Sequence, residues 1–84
     1  MTYRYKEPLD RFVKTMKRKL RRNVHKSHWK YDSQNQLMEK LIAETLELIE
    51  AIKLKKGVEE ECADVANFAM MIADNAYRSK KESV

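Results

Sequence analysis

The sequence has few residues that break helices or cross-link chains: one glycine, one proline and one cysteine in 84 residues. A single cysteine excludes an internal disulfide, and Cys62 lies within an apolar run, as expected of a small buried side chain in a reducing compartment. No apolar stretch approaches the length that spans a bilayer. The basic N-terminus lacks the apolar block of a secretory signal. We therefore expect a cytoplasmic protein.

The scarcity of glycine and proline, without alternating β-branched runs, predicts an all-α chain that forms one domain over 1–84. Asp32 or Ser33 is expected to cap the second helix, Gly57 to end it, and the tail after Ser79 to fray. The predicted order is a basic helix over about 8–23, a connector over 24–33, and helices over about 34–55 and 58–78.

The third predicted helix is apolar nearly all round, with Ala63, Ala66, Ala69, Met70, Met71 and Ala73. Such a helix needs cover on every side, which three helices in one small chain cannot supply. We therefore expect an oligomeric helical bundle, a homodimer or homotetramer, that associates through the second and third helices.

Charge is divided sharply along the chain. Residues 1–31 carry eleven basic and two acidic residues, whereas residues 32–77 carry ten acidic and four basic ones. This asymmetry indicates two surfaces with different partners. The acidic segment is also the more apolar one.

Four of the acids lie on or beside the apolar faces of the predicted helices. At about 100° per residue, Glu44 lies within the arc of Leu37, Leu41 and Leu48, and Glu47 flanks it. On the next helix the pattern repeats, since Glu61 lies within the arc of Val65, Phe68 and Ile72 and is flanked by Asp64. We expect the two pairs to face each other.

Buried carboxylates that repel one another require neutralisation by a basic side chain or a divalent cation. Lys40 is the only good basic candidate on these faces. An oxygen-only set without histidine or cysteine suits a hard ion such as Mg²⁺ or Mn²⁺, which keeps open positions for substrate phosphates. The sequence therefore predicts a metal site formed by Glu44, Glu47, Glu61 and Asp64.

These residues also resemble a known family. The order Glu44-x-x-Glu47, thirteen residues, then Glu61-x-x-Asp64 resembles the ExxE…ExxD signature of MazG-like pyrophosphohydrolases. This all-α nucleoside triphosphate pyrophosphohydrolase superfamily includes dimeric dUTPases and dCTP pyrophosphatases. The surrounding sequence segments, LIAETLELIEAI and EECADVANFAMMIAD, are also similar to that family, and the likeness covers roughly residues 29–75.

The resemblance implies an obligate dimer or tetramer with Mg²⁺ at the four acids. It implies attack by a metal-activated water on the α-phosphorus of a nucleoside triphosphate, with release of the monophosphate and pyrophosphate. We expect Glu47, at the edge of its arc and nearer to solvent, to act as the base.

For the substrate, family members hold the nucleotide base with an aromatic residue from the connector, and Trp29 is the matching candidate. Phe68 is a candidate for the wall of the same pocket and Asn75 for contact with a sugar or phosphate, although helical period favours a core position for Phe68 and a solvated amide for Asn75. Larger members continue with a helix whose polar groups grip the triphosphate, whereas this sequence ends at Val84. We expect Lys30, Lys40 and Arg78, or a neighbouring subunit, to supply those groups.

Two rival interpretations stay open. Eight basic residues between Lys14 and Lys30 are compatible with a nucleic-acid-binding or regulatory module without catalysis. Alternatively, the chain is a helical assembly domain whose acids pair with bases across an interface.

Overall fold

The computed structural model describes residues 2–22 and 32–82, and within these ranges it contains helices and no strands. The predicted all-α class is therefore confirmed. The elements are a short 3₁₀ turn, Thr2–Tyr5, followed by α1 (Lys6–Arg22), α2 (Gln34–Leu54) and α3 (Val58–Glu82). None of these helices has both the length and the apolar character needed to cross a bilayer.

Helices α1 and α3 are longer than predicted. Helix α1 begins at Lys6, so Pro8 lies in the first turn, where its missing N–H leaves no partner unsatisfied. Helix α3 continues to Glu82, although we expected fraying after Ser79. The Lys81 ammonium group lies 5.1 Å from the centre of the Tyr77 ring. This cation–π contact, and the favourable position of lysines at the negative end of a helix, stabilise the last turns.

The start of α2 is fixed by a capping box. The Ser33 hydroxyl accepts a hydrogen bond from the backbone N–H of Gln36, and the Gln36 side chain accepts one from the Ser33 N–H. Two N–H groups that the first turn leaves without partners are satisfied in this way. Of the two predicted caps, Ser33 is the one that forms.

The end of α2 differs from the prediction that Gly57 terminates it. Lys55 is the C-cap and adopts a left-handed conformation, with φ 57° and ψ 41°. Its N–H bonds to the carbonyls of Ala51 and Ile52. Gly57, with φ 71°, lies two residues further on, and its carbonyl accepts the N–H of Glu61 in the first turn of α3. The glycine therefore opens the next helix.

Helices α2 and α3 form an antiparallel hairpin, as their short connection requires. The Gln34 side chain, at the start of α2, donates to the carbonyl of Ile72, in the second half of α3, at 3.2 Å. The middle of α2 consequently faces the first half of α3. The buried apolar residues come from both helices: Leu37, Ala51, Ala63 and Met71.

Helix α1 packs on α3. The Asn67 amide, buried on α3, donates to the backbone carbonyl of Met16 at 3.1 Å. No residue of α1 is fully buried, so the helix lies on the surface of the hairpin with Phe12, Met16 and Leu20 half-buried. This placement brings the basic helix against the acidic one.

We expect Lys55→Gly to stabilise the fold by about 0.5–1 kcal/mol. A left-handed conformation is unfavourable for any residue with a Cβ atom, whereas glycine adopts it without that penalty. The matched control is Glu50→Gly, at an exposed position inside α2, which should lower stability by about 1 kcal/mol. Thermal unfolding at one protein concentration measures both. A Lys55→Gly variant that melts below the parent protein would contradict the assigned cap.

Candidate functional site

The antiparallel hairpin brings acids from both helices together. Glu44, Glu61 and Asp64 each offer a carboxylate oxygen, and these oxygens all lie within 4.8 Å of one another. Glu47, one turn after Glu44, is exposed beside them. It interacts with Glu44 through a hydrogen bond and with Glu61 through its charge. The predicted convergence is thus observed, with Glu47 at the solvent edge. We call these four residues the acid cluster.

The carboxylates in the interior of the acid cluster have few hydrogen-bond partners. Glu44, Glu61 and Asp64 are half-buried. The Oε2 atoms of Glu44 and Glu61 are shielded from solvent and have no hydrogen-bond partner among the described residues. An unsatisfied buried polar group of this kind costs about 1–3 kcal/mol, and more when it is charged. A cation or a hydrogen-bond donor beside these two oxygens would therefore lower the free energy of the fold.

This environment shifts the protonation of the two interior glutamates. Burial raises the pKa of Glu44 to about 8, and its hydrogen bond to Glu47 and the charges of Glu47, Asp64 and Glu61 act in the same direction. Burial also raises the pKa of Glu61, as do the charges of Glu47 and Asp64, whereas Lys19 and the hydrogen bond with Glu44 oppose the rise. Like charges forced together favour a shared proton. Without a cation, Glu44 holds it at neutral pH.

Among the described residues one basic side chain reaches the acid cluster, and it is not the candidate that the sequence offered. Lys40, the one good basic candidate on these faces in the sequence, pairs through its ammonium group with Asp32 at 3.0 Å. Instead Lys19, from α1, lies 3.3 Å from Asp64, with only 18% of its side chain exposed. It also lies 3.9 Å from Glu60. The signal was present in the sequence, because Lys19 follows Met16 by three residues and so borders the apolar stripe of α1.

A second residue missed at the level of sequence is Asn67. It is buried on α3, three residues after Asp64, and its Oδ1 atom has no hydrogen-bond partner within the described part of the chain. Its amide nitrogen holds the Met16 carbonyl and so ties α1, with Lys19, to α3. Asn67 lies inside an apolar run, and nothing in that run indicates that its side chain would hydrogen-bond to another helix.

The remaining predicted site residues are spread more widely. Phe68 is half-buried one turn after Asp64, as expected of a residue that walls a pocket or completes the core. Asn75 lies eleven residues after Asp64, or about 16 Å along α3. Its side chain contacts Gln34 and Arg78 instead. Trp29 and Lys30 lie outside the described residues.

The chemistry of the donor set fits a hard divalent cation. Three converging carboxylates provide the oxygen ligands that Mg²⁺ and Mn²⁺ prefer. Two of their oxygens are buried and lack partners, and a cation would satisfy both. It would also remove the reason for Glu44 to retain a proton. Glu44, Glu61 and Asp64 are the residues that would hold it, with Glu47 beside them.

We expect metal-free protein to lose stability as the pH rises from about 5 to above 8. Glu44 has a higher pKa in the folded state, about 8, than its ordinary value of 4.5. Folding therefore takes up a proton between these values, and stability falls with increasing pH. Melting temperatures in EDTA measure the slope. Glu44→Gln should flatten it and Glu50→Gln, at an exposed site on the same helix, should not. Identical slopes for parent and Glu44→Gln would contradict the assignment.

Comparisons of the chain with protein-family models, with curated proteins and with solved structures find no match.

Proposed function

We propose that the chain is a Mg²⁺-dependent nucleoside triphosphate pyrophosphohydrolase that converts a ribo- or deoxyribonucleoside triphosphate to its monophosphate and pyrophosphate. The observation that carries the proposal is the acid cluster. Carboxylates from two antiparallel helices converge within 4.8 Å, and two of their oxygens are buried without a hydrogen-bond partner in the described part of the chain. Glutamates on helices are ordinarily solvated, so a buried group of them indicates a functional site.

Mg²⁺ is the proposed cofactor, with Mn²⁺ as a substitute. When bound, such an ion neutralises phosphate charge and lowers the pKa of a coordinated water. Glu44, Glu61 and Asp64 are the proposed ligands, and Glu47 is a fourth ligand or the base. Phosphate oxygens are natural occupants of the positions that the carboxylates leave open.

Glu47 is the residue we assign as general base. It is exposed beside Glu44, so water and substrate can approach its carboxylate. In the proposed reaction Glu47 accepts a proton from the attacking water, and the water oxygen bonds to the α-phosphorus. The bond from that phosphorus to the bridging oxygen breaks, and pyrophosphate carries away the electron pair. General base catalysis of this kind contributes typically about 10²–10⁴-fold to a rate.

Lys19 is the residue we assign to phosphate binding. Its ammonium group already lies 3.3 Å from Asp64, at the edge of the proposed metal position. If Asp64 held a cation, Lys19 would be placed to bind a substrate phosphate through its ammonium group. Lys30 and Lys40 stay predictions for the same role, as do Trp29 and Phe68 for holding the nucleotide base and Asn75 for the sugar or a phosphate.

The proposal includes association into a homodimer or homotetramer and a cytoplasmic location. A small three-helix chain cannot enclose a nucleotide by itself, and a neighbouring copy would complete the pocket. Cys62, the only cysteine, is half-buried and has no disulfide partner, as suits a reducing compartment.

The first test measures metal binding and turnover together. At about ten times its Kd, Mg²⁺ should raise the free energy of unfolding by about 1.4 kcal/mol, which is several degrees in Tm for a chain of this size. Pyrophosphate should appear from at least one member of a panel of canonical and damaged nucleotides, and only with metal. Glu61→Gln should remove both responses.

Glu59→Gln is the matched control for that variant, because Glu59 is exposed on the same helix and lies outside the acid cluster. It should keep the thermal shift and the turnover. Absence of any metal effect on stability, and of turnover across the full panel, would refute the proposed function.

The second test separates catalysis from metal binding. Glu47→Gln should lower kcat by about 10²–10⁴-fold while most of the Mg²⁺-induced thermal shift remains, because Glu44, Glu61 and Asp64 are unchanged. Steady-state kinetics and thermal unfolding on the same preparation provide the two readouts. Full activity in Glu47→Gln would assign the base to another residue.

A nucleic-acid-binding module is the second candidate. Lys14, Lys17, Arg21 and Arg22 are exposed on α1, and such a face can contact phosphates with strongly salt-dependent affinity. We rank it second because the neighbouring cations Arg18 and Lys19 pair with Glu60 and the acid cluster. Tight, salt-sensitive binding of duplex DNA, together with no effect of Mg²⁺ on stability or turnover, would reverse this order.

A further inference from the structure

Helix α2 carries an apolar stripe on the side that does not face α3. Between 44% and 62% of each large side chain in it is exposed: Met38, Ile42, Leu46, Ile49 and Ile52. At 100° per residue the stripe is centred about 100° from the arc of Leu37, Leu41 and Leu48, which turn toward the hairpin core. It runs for about 21 Å along the helix. A continuous apolar surface of this kind marks an interface more often than a solvated face.

The spacing within the stripe is that of a coiled coil. Met38, Ile42, Thr45, Ile49 and Ile52 follow one another at alternating intervals of four and three residues. An average of 3.5 residues keeps one seam of a helix against a partner helix over its whole length. Thr45 is the one polar member, and its hydroxyl is satisfied by the Leu41 carbonyl at 2.8 Å. The stripe is therefore suited to a second helix of matching period.

Charges beside the seam indicate which helix that is. Glu39, Leu46 and Lys53 lie on the same flank of the seam at seven-residue intervals, so the acid and the base are equidistant from Leu46. Both charged residues are exposed, and neither forms an ion pair within the described ranges. A twofold axis at Leu46 places each Glu39 opposite Lys53 of a second, antiparallel copy.

A parallel arrangement uses neither charge. In a parallel pair the flank that carries Glu39 and Lys53 lies against the other flank of the second helix. Glu39 would then face Gln34, and Lys53 would face Leu48. The antiparallel pair gains two ion pairs and buries the stripe of one copy against the stripe of the other. From the seam and its charges we propose that two copies of this chain associate through their α2 helices in antiparallel orientation, with Leu46 on the twofold axis.

The proposed interface leaves the acid cluster open. Glu44 and Glu47 project about 140° or more away from the centre of the stripe. The interface therefore stands on different residues from the acid cluster, so a monomeric parent protein would overturn this inference while the tests of metal binding and turnover still decide the proposed reaction. It also refines the sequence prediction of assembly through the second and third helices, because the large exposed apolar side chains lie mainly on α2.

Sedimentation equilibrium on the full chain, with Cys62 kept reduced, tests the interface. The parent protein should be a dimer at about 100 μM, and the double variant Ile42→Glu/Ile49→Glu should be monomeric with unchanged helical circular dichroism. The matched control is Leu54→Glu. Leu54 is also an exposed leucine of α2, at 66%, but it lies on another side of the helix, so the control should remain dimeric.

Charge reversal tests the orientation without touching the apolar residues. Glu39→Lys and Lys53→Glu should each weaken the dimer about tenfold, because two attractive contacts become repulsive. Both changes in one chain should restore parental affinity, and a mixture of the two single variants should form heterodimers. A monomeric parent protein, a dimer that survives Ile42→Glu/Ile49→Glu, or charge reversals without effect would each overturn the proposal.

Discussion

The burial of carboxylate groups between α2 and α3 is the constraint on which the rest of the structure depends. Glu44 and Glu61 project into the hairpin because their positions on the helical period leave them no other direction, and each keeps one shielded oxygen that no residue of 2–22 or 32–82 hydrogen-bonds. The cost appears as a raised pKa at both residues. A fold of this size is stable by only about 5–15 kcal/mol, so two such groups are a large fraction of its margin. This imbalance is what a bound dication would remove.

The unequal distribution of charge along the chain follows from the same constraint. Helix α1 is basic and packs on the acidic helix α3, where Arg18 contacts Glu60 at 2.6 Å and Lys19 contacts Asp64 at 3.3 Å. Exposed ion pairs contribute little to stability, but Lys19 is mostly buried, and its charge lowers the cost of the acid cluster. The two charged segments, which as sequence suggested separate partners, are in part partners of each other.

Helical period explains what the sequence could predict. It sets which side chains share a face, so the convergence of Glu44, Glu61 and Asp64 and the exposed position of Glu47 were both foreseeable. It does not set how one helix crosses another, and for that reason Lys19 and Asn67, which act through the packing of α1 on α3, were missed. Nor does local propensity decide between two left-handed positions that lie two residues apart, so the C-cap at Lys55, and not at Gly57, was not predicted.

We propose that a proton on Glu44 reduces the negative charge of the acid cluster when metal is absent, and that a bound dication does so when metal is present. A carboxyl ¹³C NMR titration of Glu44, assigned through Glu44→Gln, measures this directly. In EDTA we predict a pKa of about 8, which falls toward the ordinary value in saturating Mg²⁺ because a bound cation favours the ionised form. A Glu44 carboxyl that titrates near 4.5 in metal-free protein, and does not respond to Mg²⁺, would contradict the account.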